Sequence, residues 1–329
     1  MAFLDTISNP LVTPSQITTS QSLSKLLIEI QDSIRFYTAR LTQAAGRLLR
    51  LPQDITAKAN VLLFRYWAID GFGFGVSGGN EKGDWEFSDI SAATLYLTAK
   101  ISSSPCSLRS ITNIYAFLLS PTGSAYLSSS PSSSLDDKSN PETYYLSESA
   151  YISQRNHLMH LEGQILYALG FETKVVLPHA LAITYLQTLD VFNTPAKGKE
   201  LGQQTIACLN TALLSPQMLY LTHQPTALAT AAIYLAAREI GVKLPETEWW
   251  EVFDCEREEL GFLVVAMGSL KGWVEMEMKT RSWGTSGMVR RADLEYLRTA
   301  NGEKGQEEDE ESEMARTLDQ RVQSEEVVA

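Results

Sequence analysis

Cysteine is scarce and scattered. Cys106, Cys208 and Cys255 are the three among 329 residues, with no Cys-x-x-Cys pair, which suggests neither a disulfide framework nor a zinc ribbon and fits a reducing compartment. No uninterrupted apolar stretch reaches the ~18 residues a bilayer span needs, and no basic segment followed by an apolar run opens the sequence. The expectation is a soluble, intracellular protein without membrane contact. Positive charge is also in short supply: 27 Lys and Arg stand against 39 Asp and Glu, a net charge of −12. Proteins whose work is to hold phosphate backbones carry basic stripes, so direct nucleic-acid binding is not expected. Residues 302–329 hold ten acidic and three basic side chains, so −7 of the −12 lies there and −5 is left for the rest.

Strand signals are missing as well. There is no sustained apolar alternation and no Asn-Gly flanked by alternating runs, the hairpin signal. Kinase signatures and His-Glu-x-x-His are absent, so no catalytic constellation is visible, and neither enzymatic activity nor a cofactor is expected. Gly71, Gly73, Gly75, Gly78 and Gly79, in the loop from Asp70 to Asp84, follow a helical pattern rather than a strand and lack the Gly-Lys-Ser/Thr ending of a phosphate loop, which makes this segment a connection between helices. His157, His160 and Glu162 fall close together in sequence. At about 100° per residue, Glu162 lies roughly 140° around a helix from His157, so the three do not converge on a metal.

What the sequence does contain is a repeated helix. Ser91-Ala-Ala-Thr-Leu-Tyr-Leu-Thr-Ala-Lys100 recurs as Thr230-Ala-Ala-Ile-Tyr-Leu-Ala-Ala-Arg238, with Ala93 on Ala231, Tyr96 on Tyr234 and Lys100 on Arg238 at one offset of 138 residues. Ile90, Ala93, Thr94, Leu97 and Ile101 keep the spacing of one helix face, as do Leu228, Ala231, Ala232 and Leu235. Small side chains let neighbours approach on several sides, as a central helix requires.

Around these two helices the periodicity places others. In the first half they span about 22–49 (with a possible break), 53–69, 88–101 (Ser88 or Asp89 as cap), 108–118 and 147–169. In the second they span about 179–191, 199–214, 226–240 and 256–274, with a short turn at 248–253. Leu51-Pro52 separates the first two, since proline disfavours a helical residue before it. The expected organisation is a flexible arm at 1–21, a first unit at 22–171, a second at 172–275 and a disordered acidic tail at 276–329. Ser120 to Pro141, with nine serines and three prolines, reads as a disordered insertion in the first unit. Ser120 and Ser130 each precede proline there, the dipeptide a proline-directed kinase reads. Glu307-Glu-Asp-Glu-Glu311 repels itself and stays solvated.

Two five-helix halves, each with an Ala-Tyr-Leu central helix, resemble the tandem boxes of the cyclin family over about residues 22–275. Ala44-Ala-Gly-Arg-Leu-Leu-Arg-Leu-Pro52 is similar to the start of the first box in transcription-type cyclins. Pro225 to Leu235, with Arg238 after it, is similar to the second-box central helix. Trp249-Trp250-Glu-Val-Phe253 resembles a tryptophan pair in the K, T and Q types, and Ala182 to Leu189 is similar to cyclin L.

The resemblance implies an all-α protein of tandem cyclin boxes: a nuclear regulatory subunit that binds and activates a cyclin-dependent serine/threonine kinase in RNA polymerase II transcription or RNA processing. It also implies that Lys100 and Glu162 are the positions that hold the kinase. Read from residue types alone, Lys100 caps the negative end of its helix and Glu162 sits on a solvated face. Two features depart from the family: Ile101-Ser102-Ser103 replaces the acidic pair that often follows the lysine, and Thr38 to Leu49 lacks the Met-Arg-Ala-Ile-Leu motif of cell-cycle cyclins. Two competing readings are a DNA-bound factor of the transcription factor IIB type, which the missing zinc ribbon and basic face disfavour, and a helical scaffold for a protein other than a kinase.

Overall fold

The computed structural model describes residues 7–24, 26–73, 85–128, 144–193, 195–281, 283 and 287–294. Among them the regular structure is helical, with no strand: α1 (Pro14–Ser24), α2 (Ile28–Leu48), α3 (Gln53–Asp70), α4 (Phe87–Lys100), α5 (Leu108–Leu118), α6 (Pro121–Ser128), α7 (Glu148–Ala168), α8 (Pro178–Thr188), α9 (Pro195–Ala212), α10 (Leu219–Thr222), α11 (Pro225–Ile240) and α12 (Arg257–Thr280). The described residues up to Val289 form one compact unit.

The two copies of the repeated motif are α4 and α11, and each is the hub of its half. α4 packs against α2, α3, α5 and α7; α11 packs against α8, α9 and α12. A helix touched on so many sides must be apolar nearly all round. Of α4, only Tyr96, Asp89 and Lys100 escape full burial. Within it, Ser91 Oγ meets Thr42 Oγ1 at 2.7 Å and Tyr115 Oη at 2.6 Å, joining α4 to α2 and α5. Close approach elsewhere depends on Gly46 of α2, where an added Cβ would fall 2.3 Å from Thr56 Oγ1 of α3. In the second half, Trp249 is buried edge-on to Trp250 and Phe253, and Tyr185 of α8 stacks on Phe253 at 3.9 Å.

The structure corrects several expectations. Residues 1–20 read as a loose arm, yet α1 begins at Pro14, and Asn9 is buried in a ring of hydrogen bonds. Its side chain donates to Val176 O and accepts from Val176 N, both at 2.8 Å, while its backbone bonds the Gln224 side chain at 3.0 and 3.1 Å. The helix expected over 22–49 is divided between two: α1 ends at Ser24 and α2 begins at Ile28. α4 starts one residue earlier than expected: Glu86 is its N-cap, and Asp89 accepts from the Glu86 backbone as the third residue of a capping box. Ser120 Oγ accepts from Gly123 N and so opens α6 inside the serine-rich stretch. Ser130, most of that stretch, most of the glycine loop (74–84) and the acidic run at 307–311 lie outside the described residues.

Candidate functional site

Lys100 ends α4 and Glu162 lies on the inward side of α7, among buried Leu158, Leu161 and Ile165. The packing of α7 on α4 brings the two together: Lys100 Nζ donates to Glu162 Oε1 at 3.0 Å. Their exposures differ sharply. The Lys100 side chain is 54% exposed and the Glu162 side chain 8%, so the anion is fixed in the wall while the cation rests over it. The hydrogen bond to Glu162, reinforced by that carboxylate's charge, pushes the Lys100 pKa up. Tyr96 lies one turn back, with Nζ 5.6 Å from its ring centroid. The exposed ammonium gains little from the pairing, whereas the buried carboxylate is left uncompensated if the cation leaves and no other donor replaces it.

Glu162 therefore does not sit on a solvated face, as its residue type alone suggests. Around the pair, Ile101 follows Lys100 as an exposed apolar residue, and α7 presents Ile152 and Met159 two turns apart. Gly163 leaves the helix backbone beside Glu162 uncovered, with nothing within 4 Å of where a Cβ would be. The two helices that carry the pair thus offer one mobile donor, one fixed acceptor and three exposed apolar side chains.

His157 has a different task. Its Nε2 lies 3.2 Å from Asp89 Oδ2, Gln154 donates to Asp89 Oδ1 at 3.2 Å, and Trp85 packs on the His157 ring at 4.1 Å. These contacts hold the start of α4 to α7, as Lys100 and Glu162 hold its end. No cluster of three metal-ligating side chains occurs among the described residues. Burial pushes the Cys208 thiol up to about 11 and the Cys255 thiol up to about 12, so neither is a ready nucleophile. Sequence reasoning missed Trp85 and the Asp89 cluster. The only signal was the short spacing of Trp85 and Asp89 before an apolar run.

The second half repeats the geometry without the chemistry. Arg238 stands where Lys100 does, and the buried Leu260, Leu263, Val264 and Met267 of α12 keep the spacing of Leu158, Leu161, Glu162 and Ile165. Val264 thus replaces Glu162, and it lines one cavity with Arg238 and Tyr234. The cation–anion pair belongs to the first copy.

No family model matches the chain. Human cyclin-L2 is 29% identical over 259 residues, 78% of this chain and 44% of the relative; human cyclin-L1 is 28% identical over 257 residues, covering 78% and 43%. A cyclin-L1-like protein of Schizosaccharomyces pombe is 44% identical over 117 residues, 36% of this chain and 42% of the relative. Over most of its length the chain is thus similar to cyclins of the L type. It spans less than half the length of those relatives. Its fold is that of a chain in the yeast RNA polymerase II CTD kinase complex CTDK-1, at TM-score 0.56 and 11% identity, covering 83% of this chain and 74% of that chain. A chain of the Chaetomium thermophilum CAK complex bound to ATP-gamma-S matches at TM-score 0.50 and 15% identity, covering 81% and 76%.

Proposed function

We propose that this chain is a cyclin, the regulatory, non-catalytic subunit of a cyclin-dependent serine/threonine kinase acting in the nucleus, in RNA polymerase II transcription or RNA processing, and that residues 22–171 and 172–275 are its two boxes. The observation that carries the reading is the Lys100–Glu162 pair, one half exposed and one half buried, together with the three exposed apolar side chains. The ammonium has three donors and a flexible stem, so it can swing outward to a partner's carbonyl groups when partner amides take its place on Glu162. That movement frees the Glu162 carboxylate to accept from partner amides through charge-assisted hydrogen bonds. The apolar surroundings supply most of the buried area, while the charged groups set register.

Activation in this reading is a population shift. The cyclin binds the kinase form in which an inward helix presents its glutamate to the catalytic lysine, and so raises the share of that form. ATP and magnesium are the kinase's, and the cyclin needs no cofactor. The transcription assignment is supported by the stretch 44–52 and by the absence of the cell-cycle docking motif from 38–49. The test is Lys100→Ala with Glu162→Ala in one chain, checked for folding by circular dichroism, then assayed for kinase co-purification and substrate phosphorylation. Both are expected to drop at least tenfold; a folded double variant that captures kinase like the parent rejects the assigned role.

A further inference from the structure

On a face that neither α4 nor α7 lines, helices α2, α6, α9 and α12 enclose a groove of about 600 Å³. Phe36, Leu127, Leu270 and Val274 make its walls apolar, and three cations, Arg40, Arg47 and Lys271, stand in it against one carboxylate, Glu275. That excess of positive charge is notable in a chain of net charge −12. None of the three cations has an ion-pair partner among the described residues. Arg40 is the most constrained of them. Its Nη2 donates to Leu127 O, while its Nη1 is removed from solvent and meets no acceptor. Burial pushes the Arg40 pKa down, the mark of a charge lacking solvation.

We propose that this groove docks an acidic peptide segment of a partner protein, one in which carboxylates alternate with apolar side chains. The carboxylates would pair with Arg47 and Lys271 and offset the poorly solvated charge of Arg40, and the apolar side chains would fill the space between Leu127 and Leu270. The spacing of the cations selects this occupant over a lone phosphate. Arg40 and Arg47 are seven residues apart on one helix, about 10 Å at 1.5 Å per residue. They are strung along the groove, matching successive acidic residues of an extended chain. Three cations are too few for the phosphate track of a nucleic acid. The site is independent of the kinase contact, so its failure and the failure of that reading are separable.

The test uses the full chain and a fluorescein-labelled twelve-residue peptide in which Asp and Glu alternate with Leu and Phe, read by fluorescence anisotropy. Saturable binding at tens of micromolar or tighter is expected at low salt, about −6 kcal/mol, weakening as salt is raised. Arg47 and Lys271 are both exposed, so Arg47→Glu with Lys271→Glu spares the fold and is expected to weaken binding at least tenfold. Lys243→Glu, outside the groove, should leave binding unchanged, and kinase capture should be unaffected by either set. Absence of saturable binding, or equal binding to the double variant, overturns the proposal. It is also overturned if a peptide of this chain's residues 303–313, acidic but without apolar side chains, binds as tightly, because the walls then contribute nothing. Self-association of the parent chain that the double variant abolishes, read by sedimentation, would assign the groove to a second copy instead.

Discussion

At the scale of single residues, the candidate site joins an inflexible acceptor to a mobile donor, and the position beside them tests how closely a partner approaches. Gly163 follows Glu162 on α7 and faces open space. Glycine in an exposed helix interior costs roughly 0.5–1 kcal/mol relative to alanine. Gly163→Ala should therefore raise the unfolding free energy by about that much, measured in urea, and leave kinase capture intact, because one methyl group meets nothing. Gly163→Trp should also fold, yet it places an indole beside the carboxylate that a partner must reach. Its kinase capture should drop at least tenfold, and capture equal to the alanine variant would show that the partner does not approach this side of α7.

Among the elements, the N-terminal segment gives the sharpest contrast between pattern and packing. Asn9 offers a side-chain acceptor and donor to Val176, in the link before α8, and its backbone engages Gln224, the N-cap of α11. Asn9→Ala strands the Val176 amide and carbonyl and should cost about 2–3 kcal/mol, at about 1 kcal/mol or more per unsatisfied group; a change under 0.5 kcal/mol in denaturant unfolding would show that water replaces those bonds. None of this was legible in residues 1–20, since a long-range side-chain bond leaves no periodicity. α4 and α11 were legible because a hub helix is apolar on all sides and the chain states it twice. The pairing of Lys100 with Glu162 came through resemblance and not through residue type, which pointed to a solvated carboxylate. The far end of α12 escaped for another reason: Glu275-Met-Glu-Met alternates instead of forming a helical stripe. Its helix runs on to Thr280 because buried Glu277 accepts from Ser33 Oγ at 2.5 Å and from Trp283 Nε1 at 3.1 Å.

For the molecule as a whole, the polar ties between its two halves make stability depend on pH. Asn210 of α9 accepts from Gln53 of α3 and from His179 Nε2 of α8, both at 3.0 Å through one side-chain oxygen. An imidazole that donates through Nε2 keeps its proton there, and His179 Nδ1 is buried without a partner. Protonation would place a second N–H where nothing accepts it. Burial accordingly pushes the His179 pKa down from 6.5, against the opposing effect of the Asn210 bond, and burial also lowers His223. Because both folded-state values lie below the unfolded one, the unfolded chain binds more protons in acid. The stabilising contribution is complete above about pH 6.5 and is lost as the pH falls through the lowered folded values. The melting temperature should hence decline between pH 7.5 and 5.5. His179→Gln, which keeps a donor for Asn210 and removes the titrating ring, should flatten part of that decline, leaving the share due to His223. A parent chain whose melting temperature is level across this range, or a His179→Gln variant as acid-sensitive as the parent, would show that the junction tolerates the charged ring.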